Sequence, residues 1–139
     1  LCAAGQFGTG ASFGFSPAVR ADGVTPAADP HLPQPLWFKD YAVDVEQADP
    51  DSMYTLYHAA LAIRQESLTA TRDTTAEQVD MGDDVVAYTR AAVGGRVFTS
   101  ITNFGNAPVA LPDGSVVLAS GPLTPEGQLP TDTSAWVVQ

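Results

Sequence analysis

The chain is short of basic residues, of thiols and of long apolar runs, and each shortage removes a class of function. Six Lys and Arg stand against sixteen Asp and Glu, for a formal net charge of −10 and a pI near 4.2. Such a surface repels phosphate backbones, and the Arg residues and the single Lys39 form no cluster, so nucleic acid is not an expected partner. The only cysteine, Cys2, allows neither an internal disulfide nor a Cys-rich metal site and fits a reducing, cytoplasmic setting. No run approaches the ~20 apolar residues of a membrane span. The start lacks the basic and then apolar order of a secretory signal, so no membrane partner is expected either.

What is present is an ordinary globular load. The 139 residues are 45% hydrophobic, enough for one average domain rather than a disordered chain. Residues 1–48 are dense in breakers, among them Gly5, Gly8, Gly10, Gly14, Pro17, Gly23, Pro26, Pro30, Pro33 and Pro35. That spacing predicts no regular element longer than a few residues. Yet Phe7, Phe13, Phe15, Leu32, Leu36, Trp37, Phe38 and Tyr41 load the same stretch with apolar surface. A loop so long and so aromatic is expected to pack on a surface that this chain does not supply. Leu1 in place of an initiator Met reads as a truncated start.

One amphipathic helix is predicted over about 50–66. Asp49 is its expected cap, Pro50 its first residue, and Met53, Leu56, Tyr57, Ala60 and Ile63 its apolar stripe, widened by Leu61. The run Leu68–Thr75 is β-branched and polar, and the helix should end before it. Beyond about Glu77 the pattern changes to short β-type runs with turns between them. Strands are expected over 84–90, 96–102, 107–111, 115–119 and 134–138, with a further one if 77–81 pairs. Ala91–Gly95 reads as a hairpin connection. Such strands argue an antiparallel sandwich or Greek key. Apolar residues on both faces (Val85 with Val86, Val116 with Val117) predict that one sheet is covered on its outer side as well.

No complete catalytic constellation is visible. The carboxylate pairs Asp49/Asp51, Asp83/Asp84 and Asp44/Glu46 fall at a cap, a turn and a loop, whereas acid–base work needs two carboxyls at a fixed separation. Asp49-Pro-Asp51 and Asp80–Asp84 lack the twelve-residue calcium loop with its terminal Glu. His31 and His58 have no partner spacing for a metal. Ser12 and Ser16 flank Gly14 in the wrong order for a nucleophile elbow. Gly5–Gly10 has neither the strand, the helix nor the Lys of a phosphate loop. No catalytic residue, metal or cofactor is assigned.

Three blocks, in order, carry a family resemblance: Ser12-Phe-Gly-Phe-Ser-Pro17, His31-Leu-Pro-Gln-Pro-Leu-Trp37, and Asp49-Pro-Asp-Ser-Met-Tyr-Thr-Leu-Tyr57 running on to Leu61-Ala-Ile-Arg64. Downstream pieces agree, among them Asp84–Tyr88, Thr102–Gly105, Val109–Pro112, Val117–Ser120 and Gly127–Thr133 with Trp136. Together they resemble the C-terminal third of bacterial α-glucosidases and oligo-1,6-glucosidases of glycoside hydrolase family 13, the α-amylase superfamily. The chain departs from the family pattern at Leu1–Gln6, where an Arg-x-Pro-x-Pro-Trp motif is usual, and in the longer run Ala21–Asp29.

The resemblance implies an α+β fragment. Residues 1–70 would be a remnant of a (β/α)8 barrel, the loop after its last strand and its final helix; 71–139 would be the C-terminal β-sandwich. The catalytic carboxylates would lie upstream of Leu1, Phe13 and Phe15 would lie near the active-site mouth, and the fragment would be inactive alone. Its implied partners are the missing catalytic barrel and, through it, an α-glucoside oligosaccharide. The competing reading from the residues is a stand-alone β-sandwich module binding carbohydrate or a protein, with Trp37, Tyr41 and Tyr88 as contact candidates. A non-catalytic regulator descended from such an enzyme is a third.

Overall fold

The computed structural model describes residues 36–71 and 74–139. The chain divides into two compact units, Leu1–His58 and Ala59–Gln139.

In the first unit a 3-10 turn, Leu36–Tyr41, leads into helix α1, Val43–Ala48. The sequence predicts no such helix, because breakers crowd the stretch before it. They stop at Pro35, and the run from Leu36 to Ala48 holds neither Pro nor Gly, which leaves room for one short helix. Helix α2 follows at Met53–Leu68. It starts three residues later than expected, and its cap is Ser52 rather than Asp49. Ser52 Oγ accepts the Thr55 N–H at 3.1 Å and donates to the Glu46 carbonyl at 2.6 Å. One hydroxyl thus serves the first turn of α2 and the last turn of α1, which a carboxylate without a proton cannot do. Asp49 instead accepts the Asp51 N–H at 2.9 Å and closes the intervening turn. Thr55 Oγ1 donates to the Asp49 carbonyl at 2.9 Å, adding a second tie between the turn and α2.

In the second unit α2 runs to Leu68, past its expected end, and a 3-10 turn at Thr69–Thr71 closes it. Ser67 is buried and Leu68 packs on the sheet, so tertiary burial outweighs the local β-type preference there. The strands are β1 (Glu77–Val79), β2 (Val85–Ala91), β3 (Val97–Asn103), β4 (Ser115–Ala119) and β5 (Thr133–Val138). They form one antiparallel sheet in the order β1-β2-β3-β5-β4. The expected strand at 107–111 is reduced to a single bridge, Val109 opposite Leu129. Pro108 and Pro112 remove donors on either side of it, so the ladder cannot extend. Among the described residues the expected two-sheet sandwich is therefore one sheet with an irregular second layer.

Alternation along the strands gives the sheet two different faces. On one, Ala87, Ile101 and Ala135 meet Leu129 from the long β4–β5 connection, with Val79, Met81, Val85, Leu111, Ala119 and Leu123 around them. Ile101 and Leu129 are fully buried, a contribution of roughly 1.5–3 kcal/mol each. Asn103 is the polar anchor of this layer: its Nδ2 donates to the carbonyls of Ala107 (2.9 Å) and Leu129 (3.1 Å), and its Oδ1 accepts the Gly105 N–H (2.9 Å). On the other face Phe98 and Val138 pack with Ala92, Ile63, Leu68 and Trp136. The C-terminal half of α2 thus covers the second face at its Phe98–Val138 end, while Val86, Val116 and Val117, from which cover is expected, stay exposed.

Candidate functional site

Of the carboxylates read as cap, turn and loop residues, those around 80–84 do lie in a turn, whereas Asp49 does not cap α2 and Asp44 and Glu46 fall in a helix rather than a loop. Asp80 Oδ1 accepts the Gly82 N–H at 3.1 Å, and the Asp84 carbonyl accepts the Phe104 N–H at 2.8 Å. Asp44 and Glu46 lie in the first turn of α1. Among the described residues no three His, Cys, Asp or Glu side chains come together as a metal site. His58 is exposed and stacks on Tyr54, with ring centroids 6.2 Å apart. Phe13, Phe15, His31, Cys2 and the Gly5–Gly10 run lie outside the described residues. No helix among the described residues is long and apolar enough to cross a membrane.

Two surfaces carry the remaining chemistry. The first is a row along α2: Met53, Tyr57 and Leu61 recur every four residues and are 59%, 63% and 58% exposed. Four-residue spacing puts them on one side of the helix. Trp37 and Tyr41 are exposed too and meet edge-to-face at 5.8 Å within the 3-10 turn.

The second is a groove of about 220 Å³ in the Ala59–Gln139 unit, where α2 lies over the sheet. The register sets its floor. Tyr88 of β2 stands opposite Ser100 of β3, and Ser100 stands opposite Trp136 of β5. Side chains in one cross-strand row share a face, so a small hydroxyl sits between two large rings. In the next row Arg90 stands opposite Phe98, which meets the Trp136 ring edge-to-face at 5.2 Å and steadies it. Leu68 and Arg64 of α2 form the remaining wall. Arg90 Nη2 donates to Thr74 Oγ1 at 3.3 Å. A broader hollow of about 360 Å³ adjoins it, between Leu61, Gln65, Thr69 and the same two arginines.

Of the contact candidates Trp37, Tyr41 and Tyr88, Tyr88 alone lies in this groove, and it is 45% exposed. Arg64 and Trp136 figure in the sequence only through the family resemblance, and Arg90 and Phe98 only as strand residues. The available signal is the alternation Val86, Tyr88, Arg90, which marks three neighbours on one face of β2. The partners across the strands depend on register.

No family model and no curated protein sequence matches the chain. Solved structures do. Trehalulose synthase MutB from Pseudomonas mesoacidophila MX-45 matches over 91% of this chain and 25% of its own, with 24% identity and a TM-score of 0.63. A mutant MutB in complex with the substrate sucrose matches over the same shares, with 25% identity and a TM-score of 0.63. Another mutant, from crystals soaked with trehalulose, matches over 82% of this chain and 23% of its own, with 25% identity and a TM-score of 0.60. The chain thus spans about a quarter of the length of the enzymes it matches. These neighbours are sucrose isomerases of glycoside hydrolase family 13, and the likeness supports the α-amylase superfamily as the group in which this chain falls.

Proposed function

We propose that the chain is the C-terminal part of an α-glucosidase-like glycoside hydrolase. The whole enzyme would act on α-glucosidic bonds of oligosaccharides with retention, and this part would be inactive alone. The supporting observation is the pairing of coverage with exposure. Nine-tenths of the chain aligns with a quarter of a sugar-converting enzyme, while Met53, Tyr57 and Leu61 hold an apolar row in the open. Burying three such side chains is worth about 1.5–3 kcal/mol each, a strong incentive to dock. On this reading α2 is the last helix of a (β/α)8 barrel and the row faces the catalytic barrel. Catalytic carboxylates of barrel enzymes sit at the ends of barrel strands, upstream of this chain. Phe13 and Phe15 would line the approach to that site. The one cysteine and acidic surface fit a cytoplasmic enzyme.

A chromogenic α-glucoside offered to the purified chain should give no turnover. Turnover abolished by Asp49→Asn or Asp84→Asn would overturn the proposal. The docking face has its own check. Met53→Gln, Tyr57→Gln and Leu61→Gln together should reduce binding of a hydrophobic dye and self-association. Each should shift the chain's stability by no more than about 0.5 kcal/mol, as surface replacements do. A cooperative loss of stability would instead make the row part of the chain's own core.

A further inference from the structure

We infer that the two-arginine hollow at the C-terminal half of α2, with the aromatic groove beside it, binds a small organic carboxylate. The single negative charge sits between Arg64 and Arg90, and the apolar body lies over the row Tyr88–Ser100–Trp136. The two hollows, about 360 and 220 Å³, share Arg64, Leu68 and Arg90, so the arginines stand where the hollows meet. The sequence holds only six basic residues against sixteen acidic ones, and two of the six converge here. No acidic side chain is among the described residues that line either hollow. Two like charges facing one space repel each other, and an anion between them turns that repulsion into attraction on both sides. Thr74 Oγ1, which takes Arg90 Nη2 at 3.3 Å, orients that guanidinium without cancelling its charge.

The walls divide the ligand's chemistry between a head and a body. Beside the arginines, Gln65 and Thr69 add an amide and a hydroxyl, donors for the remaining lone pairs of a carboxylate. Tyr88 stands two residues before Arg90 on β2, ~6.8 Å along the strand, and with Phe98 and Trp136 supplies an aromatic floor. That interval suits a carboxylate held a short chain away from a flat ring. An inorganic anion would leave the floor uncovered, and a neutral apolar molecule would gain nothing from the arginines. The overall charge of −10 sets a limit, because it repels a dianion twice as strongly as a monoanion and so favours a single charge. Every lining residue belongs to the Ala59–Gln139 unit, and the site therefore does not depend on the reading of the chain as part of a larger hydrolase.

The chain has two tryptophans, so Trp37→Phe leaves Trp136 as the reporter on the floor. The probe is 3-phenylpropionate, with 3-phenylpropanamide as its uncharged counterpart and acetate as the head without the body. At low salt 3-phenylpropionate should change the fluorescence saturably. The midpoint should be on the order of 1 mM, as expected for about eleven heavy atoms at modest ligand efficiency. The amide and acetate should each bind at least tenfold more weakly. Arg64→Gln, at an exposed helix position, should weaken the acid at least fivefold and leave the amide unchanged, with the thermal midpoint recorded alongside. Raising sodium chloride from about 20 to about 500 mM should weaken the acid severalfold and the amide not at all, a comparison that needs no change in the groove. If the Trp37→Phe chain fails to fold, calorimetry on the unsubstituted chain reads the same midpoints. No saturation with the acid, an amide or acetate that binds as tightly, salt-insensitive binding, or an unchanged midpoint in folded Arg64→Gln would each overturn the inference. Turnover of an α-glucoside plays no part in this result, so the two proposals fail separately.

Discussion

Replacing Asn103 by alanine should unfold more of this chain than any surface change, and the reason lies in three hydrogen bonds. Asn103 is fully buried at the end of β3, and its amide bonds the Ala107 and Leu129 carbonyls and the Gly105 N–H. The Leu129 carbonyl keeps a second donor, the Val109 N–H at 3.0 Å, and survives the loss. The Ala107 carbonyl belongs to an exposed residue and can turn to water, whereas the Gly105 N–H is buried and loses its acceptor. An unsatisfied buried group costs ~1–3 kcal/mol, and the vacated volume adds to that, so the total should be about 3 kcal/mol or more. For a cooperative unit of this size each kcal/mol moves the thermal midpoint by ~4–8 °C, so a fall of over ~10 °C is expected in a melt followed by circular dichroism. Asn103→Asp adds a sign test. Its carboxylate keeps the shape but faces two carbonyl oxygens without a proton to give, so the folded state favours the protonated form and raises its pKa above the unfolded ~3.9. The variant should therefore be least destabilised below pH ~4 and lose stability as pH rises through the folded value. An Asn103→Ala midpoint within about 2 °C of the parent chain, or an Asn103→Asp variant that strengthens from pH 4 to 7, would refute the account.

Two further outcomes follow from the caps and turns. Ser52→Ala should cost ~1 kcal/mol and speed hydrogen exchange at the Thr55 amide, whereas Asp49→Ala should leave that amide protected. Gly114 has φ +136°, and a Cβ there would stand 2.7 Å from the Val138 carbonyl oxygen and 2.8 Å from Val137 Cγ1, while Gly127 has φ +76° with open space around it. Gly114→Ala should thus exceed the ~1–3 kcal/mol of backbone strain, and Gly127→Ala should stay within it, both read from urea midpoints.

The parts of this fold that were legible in the sequence are those whose cause is local. Runs such as Asp84–Arg90 and Ser115–Ala119 are rich in β-branched residues and bounded by turn formers, and they became strands within a residue or two of their expected ends. Helix α2 announced itself by its stripe, but its start did not. Asp49-Pro50 looks like a cap from the chain alone, and only the proximity of the Glu46 carbonyl makes Ser52 the better one. Helix α1 is six residues long, too short for a helical period to register. Ala107–Leu111 has strand-like residues, yet the prolines around Val109 allow one bridge and no more. The groove was the least legible feature. It joins a tyrosine, a serine and a tryptophan from three strands whose register is set by packing across the sheet.

The place of β5 has a consequence for how the protein is made. β4 precedes β5 in the chain but hydrogen-bonds to β5 alone, and β5 also completes β3. On the ribosome, β1, β2 and β3 can assemble as a meander as soon as they emerge, whereas β4 must wait as an orphan until Thr133–Val138 has cleared the exit tunnel. Closure of the sheet is therefore a late, all-or-nothing event, and a nascent chain stalled before that point would offer β3 and β4 as bare templates to any chaperone or stray strand that reached them first.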